Sequence, residues 1–180
     1  MVNNKAQIWV ETAIYTLIGL TIIAILLSIA VPQIDKIKDK TIIRQTIEAL
    51  NDLDTKLSDI EQSPGNVRVV NFKVGKGKLE INPVTDSIIY SLENTKLELS
   101  EPGKPIQEGP IVLETQEYGS NFNIILTMNY SNSLNITYSG SDENIKTLQA
   151  GVTPYKIQIE NMGSNSTSGT AIINIDFNVI

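Results

Sequence analysis

Few residues in this chain are able to do chemistry. Its 180 residues include no histidine and no cysteine, which removes imidazole bases, thiolate nucleophiles, disulfides and Cys/His zinc sites together. Glu11 is the most conspicuous group that remains: after it, no Asp, Glu, Lys or Arg occurs until Asp35. A carboxylate in such a neighbourhood costs on the order of 2.5–3.5 kcal/mol at a bilayer centre and less near its edge, so Glu11 is either neutralised by an amine or is simply the last polar residue before a signal anchor, seated among headgroups. Gly75-Lys76-Gly77-Lys78 joins glycine to lysine but lacks the spacing and the following helix of a phosphate loop, and it reads as a hairpin turn. Asp142-Glu143-Asn144 supplies oxygen ligands without the alternation and glycine of a calcium loop, and it reads as a solvated loop. Glu114 and Glu117 read as solvated surface. Asn129-Tyr130-Ser131, Asn135-Ile136-Thr137 and Asn165-Ser166-Thr167 are N-glycosylation sequons, so Asn129, Asn135 and Asn165 are candidate glycan acceptors. No catalytic, cofactor-binding or metal-ligating set emerges, and an enzyme is not expected. The formal net charge of -6 argues against a nucleic-acid-binding face, which needs clustered Lys and Arg.

The element that positions Glu11 is the uncharged run from Thr12 to Ile34. As a helix it would be about 35 Å long at 1.5 Å per residue, enough to cross a hydrocarbon core of roughly 30 Å. Trp9, Ile14, Leu17, Ile18, Ile22 and Ile25 are its candidate packing residues toward neighbouring helices. Thr12, Thr16, Thr21 and Ser28 are tolerable in a helix packed on others. Pro32 removes the hydrogen bond to the Ser28 carbonyl and is the candidate kink, with the Ser28 hydroxyl a possible compensating group; equally, Pro32 marks where the segment leaves the membrane.

From Asp35 the helical period continues. Ile43, Leu50 and Leu57 form one row and Thr46, Leu53 and Ile60 a second, widened by Ile42 and Ile47, while Asp39, Lys40, Glu48, Asp52 and Asp59 are assigned to other faces. This is an amphipathic helix with a core-facing stripe, with a membrane-proximal coiled coil as the alternative. Gln62-Ser63-Pro64-Gly65 ends it. Beyond Asn66 the pattern has period two: Val70, Phe72 and Val74, then Leu79 and Ile81. Ser87–Leu92, Lys96–Leu99, Ile111–Thr115, Asn123–Tyr130 and Leu134–Tyr138 read as short strands. Tyr155, Ile157 and Ile159, then Ile173, Ile175, Phe177 and Val179, alternate most clearly, with residues 163–169 as the loop between them. The predicted fold class is α+β: a long N-terminal α-helix, apolar then amphipathic, packed on an antiparallel β-sandwich or barrel-like head. The predicted divisions are a leader over 1–6, the helix over 7–62 and the head over 66–180.

The start of the chain carries a resemblance. Lys5-Ala6 followed by Gln7-Ile8-Trp9-Val10-Glu11 resembles the class III signal peptide and processing site of type IV pilins, the archaeal ones in particular, over residues 5 to 60. In that family a membrane-embedded prepilin peptidase cuts before the apolar run, and the fifth mature residue is typically Glu. Cutting between Ala6 and Gln7 puts Glu11 there. Bacterial pilins usually have Gly before the cut and Phe or Met after it; Ala6 and Gln7 depart from that, and Lys5-Ala6 fits the archaeal variant. After such a cut Glu11 lies four residues from the new terminal amine, on the same helix face and near the positive end of the dipole. An amine from a neighbouring subunit would instead neutralise it and set the axial stagger of a polymer.

The resemblance implies a homopolymeric cell-surface filament, used in adhesion, with a precursor inserted in the cytoplasmic membrane. It further implies an assembly ATPase and a polytopic membrane platform as partners, with no cofactor and no nucleic acid. Two other readings stand beside it. A monomeric, signal-anchored surface binding protein would keep its first residues and carry a pocket in its head. An archaellin of a rotating filament shares the processing but usually begins with more Gly and Ala. Lys36, Lys38, Lys40 and Arg44 follow the apolar run and only Lys5 and the α-amine precede it, so the positive-inside rule alone places the C-terminal side in the cytoplasm. The β-rich, polar remainder and the cytoplasmic processing of such leaders place the head outside instead.

Overall fold

The computed structural model describes residues 4–167 and 170–180, with side chains over 8–164 and 172–180. Helix α1 runs Asn4–Glu61, and its helical assignment continues through Pro32. Ten strands follow: β1 (Val67–Phe72), β2 (Lys78–Asn82), β3 (Ser87–Thr95), β4 (Ile106–Glu108), β5 (Ile111–Tyr118), β6 (Asn121–Asn129), β7 (Leu134–Tyr138), β8 (Lys146–Gln149), β9 (Tyr155–Thr167) and β10 (Thr170–Val179). The fold is α+β. The chain divides into two units, Met1–Lys38 and Asp39–Ile180.

In the first unit every residue of the helix from Ile8 onward except half-buried Pro32 is exposed. Thr12, Thr16 and Thr21 each donate a hydroxyl to the carbonyl four residues back, at 2.8–2.9 Å. Ser28 Oγ donates to the Ile25 carbonyl at 2.7 Å. That hydroxyl is therefore committed one turn below Pro32 and does not serve the Ser28 carbonyl freed by the proline.

The second unit holds the amphipathic half of α1 and all ten strands. Period-two alternation gives the strands other than β4, which is exposed throughout, one apolar face each, and these faces meet in one core. Ile88, Tyr90 and Leu92 of β3, Ile124, Leu126 and Met128 of β6, Ile157 and Ile159 of β9, and Phe177 of β10 are all buried there. The helical stripe joins the same core: Leu50, Leu57 and Ile60 have no exposed surface, which leaves no apolar seam over Ile43–Ile60 for a coiled coil. Burying such side chains contributes about 1.5–3 kcal/mol each. Asn161 ends the helix from the sheet side, donating Nδ2 to the carbonyls of Ile60 at 2.9 Å and Glu61 at 3.3 Å. Those carbonyls have no partner within the helix itself.

One sheet has the order β1-β9-β10-β7 and the other β4-β5-β6-β3-β2-β8. All pairings are antiparallel except that of β7 with β10, which is parallel. Four local expectations are corrected. Residues 75–78 form no hairpin: β1 pairs with β9 in one sheet while β2 pairs with β3 and β8 in the other, so this stretch carries the chain between sheets. Gly77 has φ 76° there and packs against the Ser91 carbonyl. Residues 96–99 are not a strand. Thr95 Oγ1 accepts from Leu97 N–H at 3.1 Å and Thr115 Oγ1 from Ser100 N–H at 3.0 Å, so side-chain hydroxyls replace a ladder. Residues 163–167 are not a loop but the end of β9, where Met162 bulges out between Asn161 and Gly163 in the register with β10. Asp39 does not lie on an outer face; it is 5% exposed.

Candidate functional site

The candidate site is the exposed apolar stretch of α1. Trp9, Ile14, Leu17, Ile18, Ile22 and Ile25 are all exposed, Trp9 by 78%. By length and composition this helix can cross a membrane, and none of its most apolar window is buried within the chain. Soluble domains bury such surface or expose it only in small patches, so the stretch has the character of a membrane-inserted or signal-anchor helix. Its hydroxyls are compatible with that setting, because Thr12, Thr16, Thr21 and Ser28 all bond to backbone carbonyls of their own helix and carry no unmet donor into lipid.

Glu11 lies on this exposed helix and makes no ion pair among the described residues. The backbone of Lys5, Ala6 and Gln7 is helical, and their side chains lie outside the described residues. The carboxylate that an apolar environment penalises is therefore presented outward from the helix.

The sequence reading missed a second polar site, at the start of the packed half of α1. Asp39 receives Lys76 Nζ on Oδ1 at 2.6 Å and Thr95 Oγ1 on Oδ2 at 2.6 Å. The Lys76 carbonyl in turn accepts the Tyr90 hydroxyl at 2.5 Å. Helix, inter-sheet connection and β3 are thereby joined at one carboxylate. A signal for it existed: Asp39 lies four residues before Ile43, so it continues the row spacing of the buried stripe by one step. Farther along the helix, Asp54 accepts the Tyr130 hydroxyl at 2.8 Å. Burial, then the hydrogen bond and the charge of Asp54, push the Tyr130 phenol well up. Burial, with Asp39 nearby, pushes Tyr90 up to about 12 against the opposing effect of a hydrogen bond with Thr46. Both are structural phenols held neutral.

Among the remaining polar sites, Asn135 and Asp142 are in contact. Asn129, at the end of β6, is exposed, whereas Asn135 is half-buried within β7. The Asn165 side chain lies outside the described residues. Asp142 is reached by Asn135 Nδ2 at 3.4 Å, and Glu143 is exposed. Among the described residues no group of three or more His, Cys, Asp or Glu is placed to hold a metal ion. An open groove beside α1, lined in part by Ile42, Thr46, Asn71, Lys73 and Val152, has Lys73 as its one charged lining residue. The chain matches no family model, no curated protein and no solved structure with which it was compared.

Proposed function

We propose that this chain is the subunit of an extracellular, type IV pilin-like filament, made as a membrane-inserted precursor and cut after Ala6. The observation that carries the reading is the long exposed apolar helix with one carboxylate, Glu11, near its start and a separately cored β-rich unit after it. In the membrane, lipid covers the helix; in a filament, the helices of other copies do. Both environments are apolar, so the transfer gains little hydrophobic free energy and association rests on close packing and polar pairing. That is why an assembly ATPase and a membrane platform belong to the reading. Within the polymer, the Gln7 amine of one copy neutralises Glu11 of the next and sets the stagger, removing the cost of a bare carboxylate among apolar groups. The proposed role of the head is surface adhesion, not catalysis.

The anchored-protein reading has one observation of its own. Lys36, Lys38, Lys40 and Arg44 are all exposed directly after the apolar run, a charge distribution that favours retention of the following segment on the cytoplasmic side. Glu11→Gln separates the two readings. In a filament subunit it leaves the precursor in the membrane and the head folded but abolishes surface filaments. Filaments at wild-type abundance from E11Q would remove the stagger role, and absence of any filament from the wild-type chain would favour the anchored protein.

A further inference from the structure

We propose that Asn129 is the acceptor of an N-linked glycan on the folded head and that the neighbouring sequon at Asn135 is not. The two sequons have the same motif chemistry, and the fold separates them. At Asn129, Oδ1 accepts the Ser131 N–H at 3.0 Å and the Ser131 hydroxyl at 2.7 Å. The sequon is thus bent back on itself, with both bonds on the amide oxygen. Drawing density toward Oδ1 polarises the amide and makes the Nδ2 protons easier to remove. Nδ2 itself has no hydrogen-bond partner among the described residues, and the residue is exposed at the end of β6. The loop beyond is already shaped by Ser133 and Leu134 N–H bonds to the Tyr130 carbonyl, at 2.8 and 2.9 Å. Tyr130, the middle residue of the sequon, is anchored to α1 through Asp54 at 2.8 Å. A sugar on Nδ2 would therefore extend from a fixed corner without displacing any hydrogen bond.

Asn135 has the opposite setting. It lies inside β7, in register with Asn174 of β10, and its Nδ2 is directed to the Asp142 carboxylate at 3.4 Å. The hydroxyl of its sequon, on Thr137, is donated to Asp176 at 2.6 Å. Asp176 is buried and also accepts the Gly140 N–H at 2.8 Å. Modifying Asn135 would need its nitrogen released from Asp142, and its hydroxyl is unable to reach its own Oδ1 while bound to Asp176.

The reaction is a group transfer without redox change. Asn129 Nδ2 attacks C1 of a sugar carried on a lipid-linked phosphate donor. The N–C1 bond forms as the bond from C1 to the phosphate oxygen breaks, the lipid phosphate leaves, and one Nδ2 proton passes to a base of the transferase. The inference rests on the reading that the head is exported, because that is where such a donor and its transferase act on a folded chain.

The test is peptide mapping by mass spectrometry of the protein isolated from its own cells, with chymotryptic cleavage after Leu134 to separate the two sequons. The expected result is a glycan mass on the Asn129 peptide and an unmodified Asn135 peptide. Asn129→Gln and Ser131→Ala each lower the intact mass by that one glycan, Ser131→Thr retains it, and Asn135→Gln changes nothing beyond its own residue mass. An unmodified Asn129, or a glycan on Asn135 in its place, overturns the inference. Protease added to intact cells then tells whether the export reading fell as well, with the head spared, or survives, with the head digested.

Discussion

Removing the Lys76 ammonium should destabilise the head more than removing the charge it pairs with. The Asp39 side chain is 7% exposed and that of Lys76 46%, with 2.6 Å between Nζ and Oδ1. Lys76→Met leaves the more buried charge with only the Thr95 hydroxyl. Breaking a fully buried pair from one side costs about 3–5 kcal/mol. Because Lys76 is half in water, that figure is discounted to about 2–3 kcal/mol. Asp39→Asn keeps an acceptor for Thr95 and lets the lysine rehydrate, so its cost is about 1 kcal/mol, that of a lost charged hydrogen bond. The double variant D39N/K76M leaves no bare charge and should lie within about 1 kcal/mol of D39N, an interaction energy within the range of directly contacting residues. The assay is urea unfolding of the full chain in non-ionic detergent, followed by tyrosine near-ultraviolet circular dichroism, since Tyr90 and Tyr130 are packed in the head whereas Trp9 is exposed on the apolar helix. A K76M loss below about 0.5 kcal/mol, or a double variant as unstable as the sum of the singles, would refute the reasoning.

Two further outcomes follow from the same unit. Gly77→Ala should cost about 2–4 kcal/mol, because φ is 76° and the new Cβ would collide with the Ser91 backbone carbonyl. Gly75→Ala, whose Cβ meets nothing within 4 Å, is the control, and equal losses in the two variants would show the inter-sheet crossing to be less tightly packed than described. Stability should also fall in alkali. Tyr90 is raised from 10.0 to about 12 and Tyr130 is raised further, so above pH 10 the folded chain holds protons that the unfolded chain has lost. Their contribution is complete below pH 10 and is lost as pH rises through the folded values. Tyr90→Phe should flatten the fall between pH 10 and 12, measured by urea midpoints, and an unchanged slope would contradict the burial of that phenol.

The helix and its two characters were legible because they rest on periodicity and on absence of charge, both local properties. Ile43, Thr46, Leu50, Leu53, Leu57 and Ile60 are spaced three and four apart, and all six are buried. Asp39 belongs to the same progression but escaped notice, because a carboxylate is assigned outward unless its partner is known, and that partner, Lys76, is 37 residues away. The strands were legible one at a time, since alternation shows which side chains share a face. It carries no information on which strand pairs with which. Gly75 and Gly77 therefore read as a hairpin although the chain crosses between sheets there. The parallel pairing of β7 with β10 likewise has no local signature. Leu97 and Leu99 alternate with Lys96 and Glu98 as a strand would, yet Thr95 and Thr115 hydroxyls supply acceptors for backbone amides of that segment, a device invisible to spacing. At the apolar helix the residue types alone identified the exposed surface: Thr12 through Val31 are all exposed.

The most direct test of the proposed filament is the N-terminus and intact mass of this chain in material sheared from the cell surface. The account predicts a chain that begins at Gln7, recovered in sheared filaments, with Glu11 as its fifth residue. A chain that still begins at Met1 and is recovered only with membranes would contradict it and leave a monomeric anchored protein.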